Sequence, residues 1–324
     1  MNPLRLELYT AIHQRQLNNL LSREQDKITS FRNRIFLADA IRETGVTESI
    51  KKRFNANGEL DNCLRYAGLE SYSNTLTRDQ VADAIIGNEV IHGLGEFLHS
   101  FCDGLGKIYQ SGWRWIQSLV DNSDNKLKKI DELMDAVENS SSTTRIKCND
   151  LDGIIKSYSK IDTTSIRENA CKQLTELKKF DSTTFYQSSS ESQTMRKIIR
   201  ELKKSQSAIV AVEEDIYYMP KKEISVADAY KQAKQLQPII SKSLKNVIDV
   251  NNKYQGFWKT GFAAGKLDAI ISALPGGYFA SAILLNEARA IAVNSWEAIS
   301  ESCSLDSDVA KALIDNLEAI ASVK

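Results

Sequence analysis

Apolar residues recur along most of this chain at intervals of three and four, the spacing that places side chains on one face of an α-helix. The first clear face comprises Ile28, Phe31, Ile35, Ala38 and Ile41. Just before this face, the run 22–27 contains only polar residues. Two alternatives remain open there: a turn lies at 22–27, or one helix continues and is solvated all round for almost two turns.

A longer apolar face follows a capping box. Thr77 is placed to accept a hydrogen bond from a backbone N–H and Gln80 to return one, which predicts a helix start. We predict a helix over 91–119 that is buried along one face, with the apolar positions Ile91, Leu94, Phe97, Leu98, Phe101, Leu105, Ile108, Ile116 and Leu119. Each glycine in a helix costs about 1 kcal/mol relative to alanine. Close approach of another backbone would offset that cost at Gly93, Gly95, Gly104, Gly106 and Gly112.

The C-terminal part begins with a second box-like cap. Ser225 and Asp228 form this cap before a long apolar face that contains Pro238. Because proline lacks a backbone donor and clashes with the preceding turn, we expect a kink or a new helix at Pro238. Upstream of the cap, residues 208–218 also suit a strand, although a helix fits them almost as well.

A helical hairpin is predicted further along. The sequence LPGGY at 274–278 is typical of a turn. It lies between two apolar arms, 262–274 and 279–296. A last helix is expected from about Asp306.

Proline usage indicates the fold class. The chain contains only Pro3, Pro220, Pro238 and Pro275. Residues 4–219 therefore contain no proline. Long helices require such proline-free stretches, so we predict a mainly α fold with long amphipathic helices and helical hairpins in two lobes. Two serine-rich hydrophilic stretches, 138–144 and 187–194, are typical of loops. They divide the chain into an N-terminal helical domain (1–138), a helical linker region with the serine-rich loops (139–194) and a C-terminal helical domain (195–324).

Composition excludes several functional classes. A hydrophobic content of 42% in 324 residues suffices for a sizeable core. The 42 basic and 42 acidic residues cancel, whereas a protein that neutralises phosphates needs a basic excess. We therefore expect no strong direct binding to nucleic acid. No apolar run approaches the roughly 20 residues that cross a bilayer, and the first twenty residues lack a secretory pattern, so we expect a soluble protein without a transmembrane segment.

The cysteines are odd in number and far apart, and none is in a metal-binding spacing. We expect them to be buried free thiols in a reducing compartment; they are Cys63, Cys102, Cys148, Cys171 and Cys303.

The search for catalytic or metal-binding chemistry finds little. Glu96, His99, Cys102 and Asp103 are close enough on a helix to be considered as metal ligands, but such spacings arise easily on any polar face. The GLG segments at 93–98 and 104–109 lack the third glycine of a phosphate loop. There is no GxSxG, and the acidic run at 213–215 is typical of a solvated helix turn. We therefore predict a non-enzymatic protein with no catalytic, cofactor-binding or metal-binding residues and no cofactor.

Two tryptophans flank an arginine at Trp113, Arg114 and Trp115. Aromatic and basic side chains in this order can stack on bases or lie at a lipid headgroup layer. The alternative is a helix end with two indoles that cap a core. Together with Phe97 and Phe101, the two tryptophans form a candidate interaction face.

Residues 65–115 carry a resemblance to a known family. Gly68, Leu69, Glu70, Ser71 and Tyr72 are followed by Thr77 and Arg78, and then by a long amphipathic helix ending in Trp and Ile. This order, over about residues 65–120, resembles the internal head, or prohead-core, proteins of large tailed bacteriophages. The resemblance implies a protein packaged with the genome inside the phage head, where its partners are other protein subunits, itself or capsid proteins. It also implies localisation in the virion interior and, on delivery, in the host cytoplasm.

The same resemblance implies candidate processing sites. In that family a prohead protease cuts after the glutamate of a short Ala/Gly-Leu-Glu element, and Glu70 occupies that place, so Ser71 would become the new N-terminus. Glu191, in the second serine-rich stretch, is similar in type.

Two other functional classes stay open. The chain could be a helical host-binding or adaptor protein, which an exposed apolar helix face would favour. It could also be an enzyme whose site is built from scattered residues, which a deep pocket with two or more coupled titratable groups would favour.

Overall fold

The computed structural model describes residues 3–54, 77–90, 94–138, 140, 142–178, 190–259 and 278–323. Within these residues the chain is mainly α-helical, which confirms the predicted fold class. Its helices are α1 (Pro3–Thr44), α2 (Glu48–Phe54), α3 (Arg78–Val90), α4 (Leu94–Ala136), α5 (Leu151–Tyr158), α6 (Thr163–Lys178), α7 (Ser190–Tyr217), α8 (Val226–Lys259) and α9 (Tyr278–Ala321). Two short strands, β1 (Arg145–Cys148) and β2 (Lys222–Ser225), complete the described elements.

The two predicted capping boxes are confirmed. The Thr77 hydroxyl accepts a hydrogen bond from the backbone N–H of Gln80 (3.2 Å), and the Gln80 side chain accepts one from the backbone N–H of Thr77 (2.9 Å). Ser225 accepts a hydrogen bond from the backbone N–H of Asp228 (3.1 Å) immediately before α8. At the other end of a helix, Gly45 has φ of 76°, a conformation that glycine adopts readily and that ends α1.

Several helices are longer than the sequence predicts. Helix α1 is continuous through 22–27, so the turn is wrong, and the helix is not solvated all round because Glu24 in that run is only 4% exposed. Helix α4 continues past the predicted end at 119 as far as Ala136. Pro238 lies inside α8 and does not begin a new helix. Asp306 lies within α9, so the separate last helix is also wrong.

The strands lie where the sequence does not predict them. β1 and β2 pair antiparallel, with Arg145 opposite Ser225 and Cys148 opposite Lys222. Residues 208–217, which also suited a strand, belong to α7. That helix begins at Ser190, so the loop predicted over 187–194 is wrong from 190 onwards. The predicted turn at 274–277 and the arm at 262–274 lie outside the described residues.

Helix α9 is the central element of the fold. Every residue from 285 to 296 is buried, and the helix packs against α1, α4, α6, α7 and α8. A segment that is buried on all sides needs neighbouring elements around its whole circumference, and its charged side chains need partners there. Two of its buried charges pair with α1: Arg289 Nε lies 3.0 Å from Glu24 Oε2, and Glu287 Oε2 lies 2.9 Å from Arg32 Nη2.

Two hydrophobic clusters form the core. The aromatic core includes Phe101, Tyr109, Trp115, Trp258 and Trp296. The aliphatic core includes Leu236, Ile240, Leu313 and Leu317. Helices α4, α8 and α9 contribute to both clusters, and the aromatic core draws residues from all three predicted domains. The division of the chain at 138 and 194 stays a prediction.

Glycines of α4 allow close packing at two positions. A Cβ on Gly112 would lie 2.4 Å from the Trp296 ring, and one on Gly104 would lie 2.9 Å from a Glu24 carboxylate oxygen. The approaching groups are side chains, which corrects the expectation of a second backbone. Gly106 has nothing within 4 Å of such a Cβ, so close packing does not explain it.

Candidate functional site

A polar cavity lies where α1, α7 and α9 meet. Its volume is about 450 Å³. It is lined by Gln14, Asn18, Leu21, Ser22, Gln25, Asp26, Glu213, Glu297, Ser300, Glu301 and Ser304. We call this feature the polar cavity and treat it as the candidate functional site.

Helix periodicity places these residues together. Gln14, Asn18, Leu21 and Gln25 follow one another at intervals of four, three and four on α1. On α9, Ser300, Glu301 and Ser304 lie three, four and seven positions after Glu297 and form a polar stripe. Residues at these intervals lie on one helix face, so two such faces meet across the cavity.

The charged residues of the lining are all acidic. They are Asp26, Glu213, Glu297 and Glu301, and none of the described lining residues is basic. Two groups act to lower the pKa of Glu297 against the effect of burial. Gln206 Nε2 donates a hydrogen bond to its Oε2 (3.3 Å), and Lys203 contributes a positive charge. The cavity therefore presents negative charge and hydrogen-bond acceptors.

The titration of Glu301 depends on its burial and on two neighbouring carboxyls of the cavity. Burial, followed by the charges of Glu297 and Glu213, raises the pKa of Glu301 to about 7. Burial also raises the pKa of Glu297, and burial together with the charge of Asp308 raises that of Glu213. Like charges in a partly buried site disfavour ionisation of each other, so Glu301 exchanges a proton near neutral pH.

Two buried acceptor atoms of the lining lack a donor. Gln25 Oε1 and Glu301 Oε2 accept no hydrogen bond from the described part of the protein. Ser300, which lies on the same stripe of α9, is only 4% exposed. Its hydroxyl does not hydrogen-bond within the described ranges, whereas the neighbouring Ser302 hydroxyl donates to the Ile299 carbonyl (2.9 Å). Buried polar groups are normally paired, so these acceptors suit a ligand that brings donors.

A second polar cluster lies in the interior. Arg167 and Asp306 are 1% and 0% exposed, and Arg167 Nη2 lies 2.9 Å from Asp306 Oδ2. The hydroxyls of Tyr158 and Ser243 each donate to the Asp306 carboxylate at 2.6 Å. Arg167 Nε donates to Asn246 Oδ1 (2.9 Å). This fully buried pair and its hydrogen bonds connect α5, α6, α8 and α9.

The cysteines of the described residues are buried free thiols, as the sequence predicts. They are Cys102, Cys148, Cys171 and Cys303, while Cys63 lies outside the described residues. Burial raises the pKa of both Cys171 and Cys303. Thiols of this kind stay protonated at neutral pH and are poor nucleophiles.

The predicted processing residues are only partly described. Glu70 and Ser71 lie outside the described residues. Glu191 lies in the first turn of α7 rather than in a loop. A protease requires an extended substrate, so cleavage at Glu191 would need this turn to unwind.

The candidate interaction face is mostly inside the molecule. Phe101 and Trp115 are each 1% exposed and belong to the aromatic core, which corrects their assignment to an outer face. Trp113 is half-buried, and the side chain of Phe97 is outside the described set. The buried face predicted over 91–119 is confirmed for Leu105, Ile108, Ile116 and Leu119 as well as Phe101. The two tryptophans lie inside α4 and not at its end.

Two of the four residues considered as metal ligands, Cys102 and Asp103, make other contacts in the structure. Cys102 is buried in the aromatic core, and Asp103 pairs with Lys107 at 2.6 Å. The side chains of Glu96 and His99 are not among the described ones. Within the described residues, no group of three or more His, Cys, Asp or Glu is arranged to hold a metal ion.

Sequence reasoning missed most of the polar cavity. From the acidic run at 213–215, Glu214 and Asp215 are exposed, as expected of a solvated turn, but Glu213 lines the cavity. The sequence signal for the cavity is the spacing of Glu297, Ser300, Glu301 and Ser304, which places four polar side chains on one face of α9. The cavity residues of α1 are harder to recognise in the sequence, because that helix is polar along much of its length.

Comparison of the chain with protein-family models, with curated proteins and with solved structures gives no match. Among the helices described, none is both long and apolar enough to span a membrane.

Proposed function

We propose that this chain is a non-enzymatic internal virion protein of a large tailed bacteriophage, packaged in the prohead and delivered into the host. The observation that carries the proposal is the order of short elements from Gly68-Leu69-Glu70 to Trp115, which resembles prohead-core proteins. The mainly helical fold is compatible with assembly by helix packing. Its partners would be other protein subunits, either further copies of this chain or capsid proteins.

The helical adaptor is a second candidate function, and an exposed apolar face supports it. Leu8, Tyr9 and Ile12 are 63%, 55% and 46% exposed near the start of α1. Leu8 and Ile12 are four residues apart and Tyr9 lies between them, so the three side chains project from adjacent positions of one helix face. An apolar helix face of this kind suits insertion into a groove of a partner protein.

An enzyme is the third class, and the polar cavity bears on it. Its coupled carboxyls meet one criterion for an active site, since a carboxyl with a raised pKa can act as a general acid. However, the described lining residues include no aromatic side chain to stack on a sugar and no basic side chain to stabilise a phosphate or an oxyanion. The lining therefore favours binding of a cation over catalysis.

Mass spectrometry of purified particles of the phage that encodes the chain tests the leading proposal. We expect peptides of this chain inside mature particles, with a new N-terminus at Ser71. Unassembled protein from infected cells is the control and should begin at Met1. Absence from the particle would exclude the virion function, whereas an intact chain in the particle would exclude only cleavage at Glu70. Peptides that begin at Ser192 would instead identify Glu191 as the processed residue.

A further inference from the structure

We propose that the polar cavity binds an organic cation that carries a primary ammonium group. The proposal is independent of the virion function, because it rests only on the groups that line the cavity. The ammonium group could belong to a free aliphatic amine or to a lysine side chain of a partner, and both present the same chemistry.

The unmet hydrogen-bonding groups specify the ligand. Gln25 Oε1 and Glu301 Oε2 are acceptors, so a ligand must bring donors. The buried Ser300 hydroxyl, on the same face of α9 as Glu301, can accept a further hydrogen bond. An ammonium group supplies three donors and no acceptor, and it brings the positive charge that the carboxylates require.

The surroundings argue against other ligand classes. An anion would meet Asp26, Glu213, Glu297 and Glu301, with no basic residue among the described part of the lining. A bare metal ion requires several ligands within about 2–2.6 Å, and no such group of His, Cys, Asp or Glu occurs in the described residues. The volume of about 450 Å³ is many times the roughly 30 Å³ of one water molecule and accommodates a chain of several carbons.

Protonation of Glu301 should compete with the cation. Its carboxyl faces Glu297 on its own helix, Glu213 on α7, and Gln25 and Asp26 on α1. With a pKa of about 7, Glu301 is mostly neutral at pH 6 and mostly ionised at pH 8. An alkylammonium group keeps its charge across this range because its pKa is about 10. Binding should therefore tighten as pH rises.

Calorimetric titration of the full-length chain with 1,4-diaminobutane at pH 8 tests the proposal. We expect saturable binding with one site, and binding at pH 6 about tenfold weaker or more. Glu301→Gln should weaken binding at pH 8 by about tenfold, because it removes a charge-assisted hydrogen bond. Titration with N-acetyl-lysine amide distinguishes the source: preference for the diamine indicates a free amine, and preference for the lysine derivative indicates a partner side chain.

Glu214→Gln is the matched control, since Glu214 is exposed next to the cavity residue Glu213 and does not line the cavity. This variant should bind like the wild type. Circular dichroism melts establish that each variant is folded. The proposal is wrong if neither amine binds at about 1 mM. It is equally wrong if Glu301→Gln and Glu214→Gln weaken binding to the same extent, because the amine would then be a general counterion.

Discussion

The carboxylate of Asp306 illustrates how a single buried charge depends on its neighbours. Arg167, Tyr158 and Ser243 all donate to it, and Asp306 is completely shielded from solvent. Desolvating two charges is costly, so such a pair contributes little net stability while both partners are present. Removing one partner is different, because an unpaired charge then stays in the interior.

We predict that Arg167→Met lowers the free energy of unfolding by about 3–5 kcal/mol. The double variant Arg167→Met/Asp306→Asn should be more stable than Arg167→Met, since a neutral amide at 306 removes the unpaired charge. Urea unfolding of the wild type, both single variants and the double variant measures this coupling. A double variant no more stable than Arg167→Met would show that the charge of Asp306 is not what destabilises the single variant.

Glu301 should make the stability of the protein depend on pH. Its pKa is about 7 in the folded chain and near 4.5 when unfolded, so between these values the folded state binds more protons. Stability then falls as pH rises from about 4.5 to 7 and levels off above that range.

We predict that Glu301→Gln is more stable than the wild type at pH 8 and equally stable at pH 4.5. Because solvent partly screens this side chain, we expect the free energy of unfolding of Glu301→Gln at pH 8 to exceed that of the wild type by only about 1 kcal/mol. Thermal melts at both pH values, with Glu214→Gln as control, measure the difference. Equal differences at the two pH values would indicate a packing effect rather than a titration.

At the scale of elements, α4 shows how an amphipathic pattern becomes a buried face. Phe101, Leu105 and Ile108 lie on the side that meets the aromatic core, and the Arg289 guanidinium lies 5.2 Å from the centre of the Phe101 ring. Gly112 lets Trp296 pack directly on the helix backbone. The cost of glycine within the helix is thus compensated by contact with a large aromatic side chain.

We predict that Phe101→Ala lowers the free energy of unfolding by about 3–5 kcal/mol, because it leaves a cavity in the aromatic core. Phe36 is the matched control, since it also lies in a long helix but is 71% exposed. Phe36→Ala should change stability by less than about 0.5 kcal/mol. Similar losses for the two variants would contradict the assignment of Phe101 to the core.

At the scale of the whole molecule, equal numbers of acidic and basic residues leave no net charge to attract nucleic acid. Many of the charges are also engaged in ion pairs across or within helices, such as Lys129 with Glu318 and Arg42 with Asp83. A protein that binds DNA through several phosphates needs free basic groups.

We predict that binding to double-stranded DNA at about 0.15 M salt is no tighter than the non-specific range of roughly 10⁻⁴ to 10⁻⁶ M. A gel-shift assay with a random-sequence duplex measures this affinity. Nanomolar binding would show that a local basic surface outweighs the neutral total charge.

The sequence alone determined the helical class, because local information is sufficient for it. Proline-free stretches, three-and-four spacing and the caps at Thr77 and Ser225 act within a few residues of each other. The buried face of α4 was also readable from spacing. The lengths of α1 and α9 were not, because packing against neighbouring helices stabilises segments that look like breaks in isolation.

Only the tertiary structure decided the site and the buried charges. Glu24 and Arg289 are 265 positions apart by their numbers, and Arg167 and Asp306 are separated by 139. No local sequence pattern predicts which charged residues, far apart in the chain, will form an ion pair. The polar cavity likewise exists only because Gln25, Glu213 and Glu301 are brought together from three helices. Helix periodicity specifies which face of a helix is polar, but long-range packing determines what that face meets and whether water reaches it.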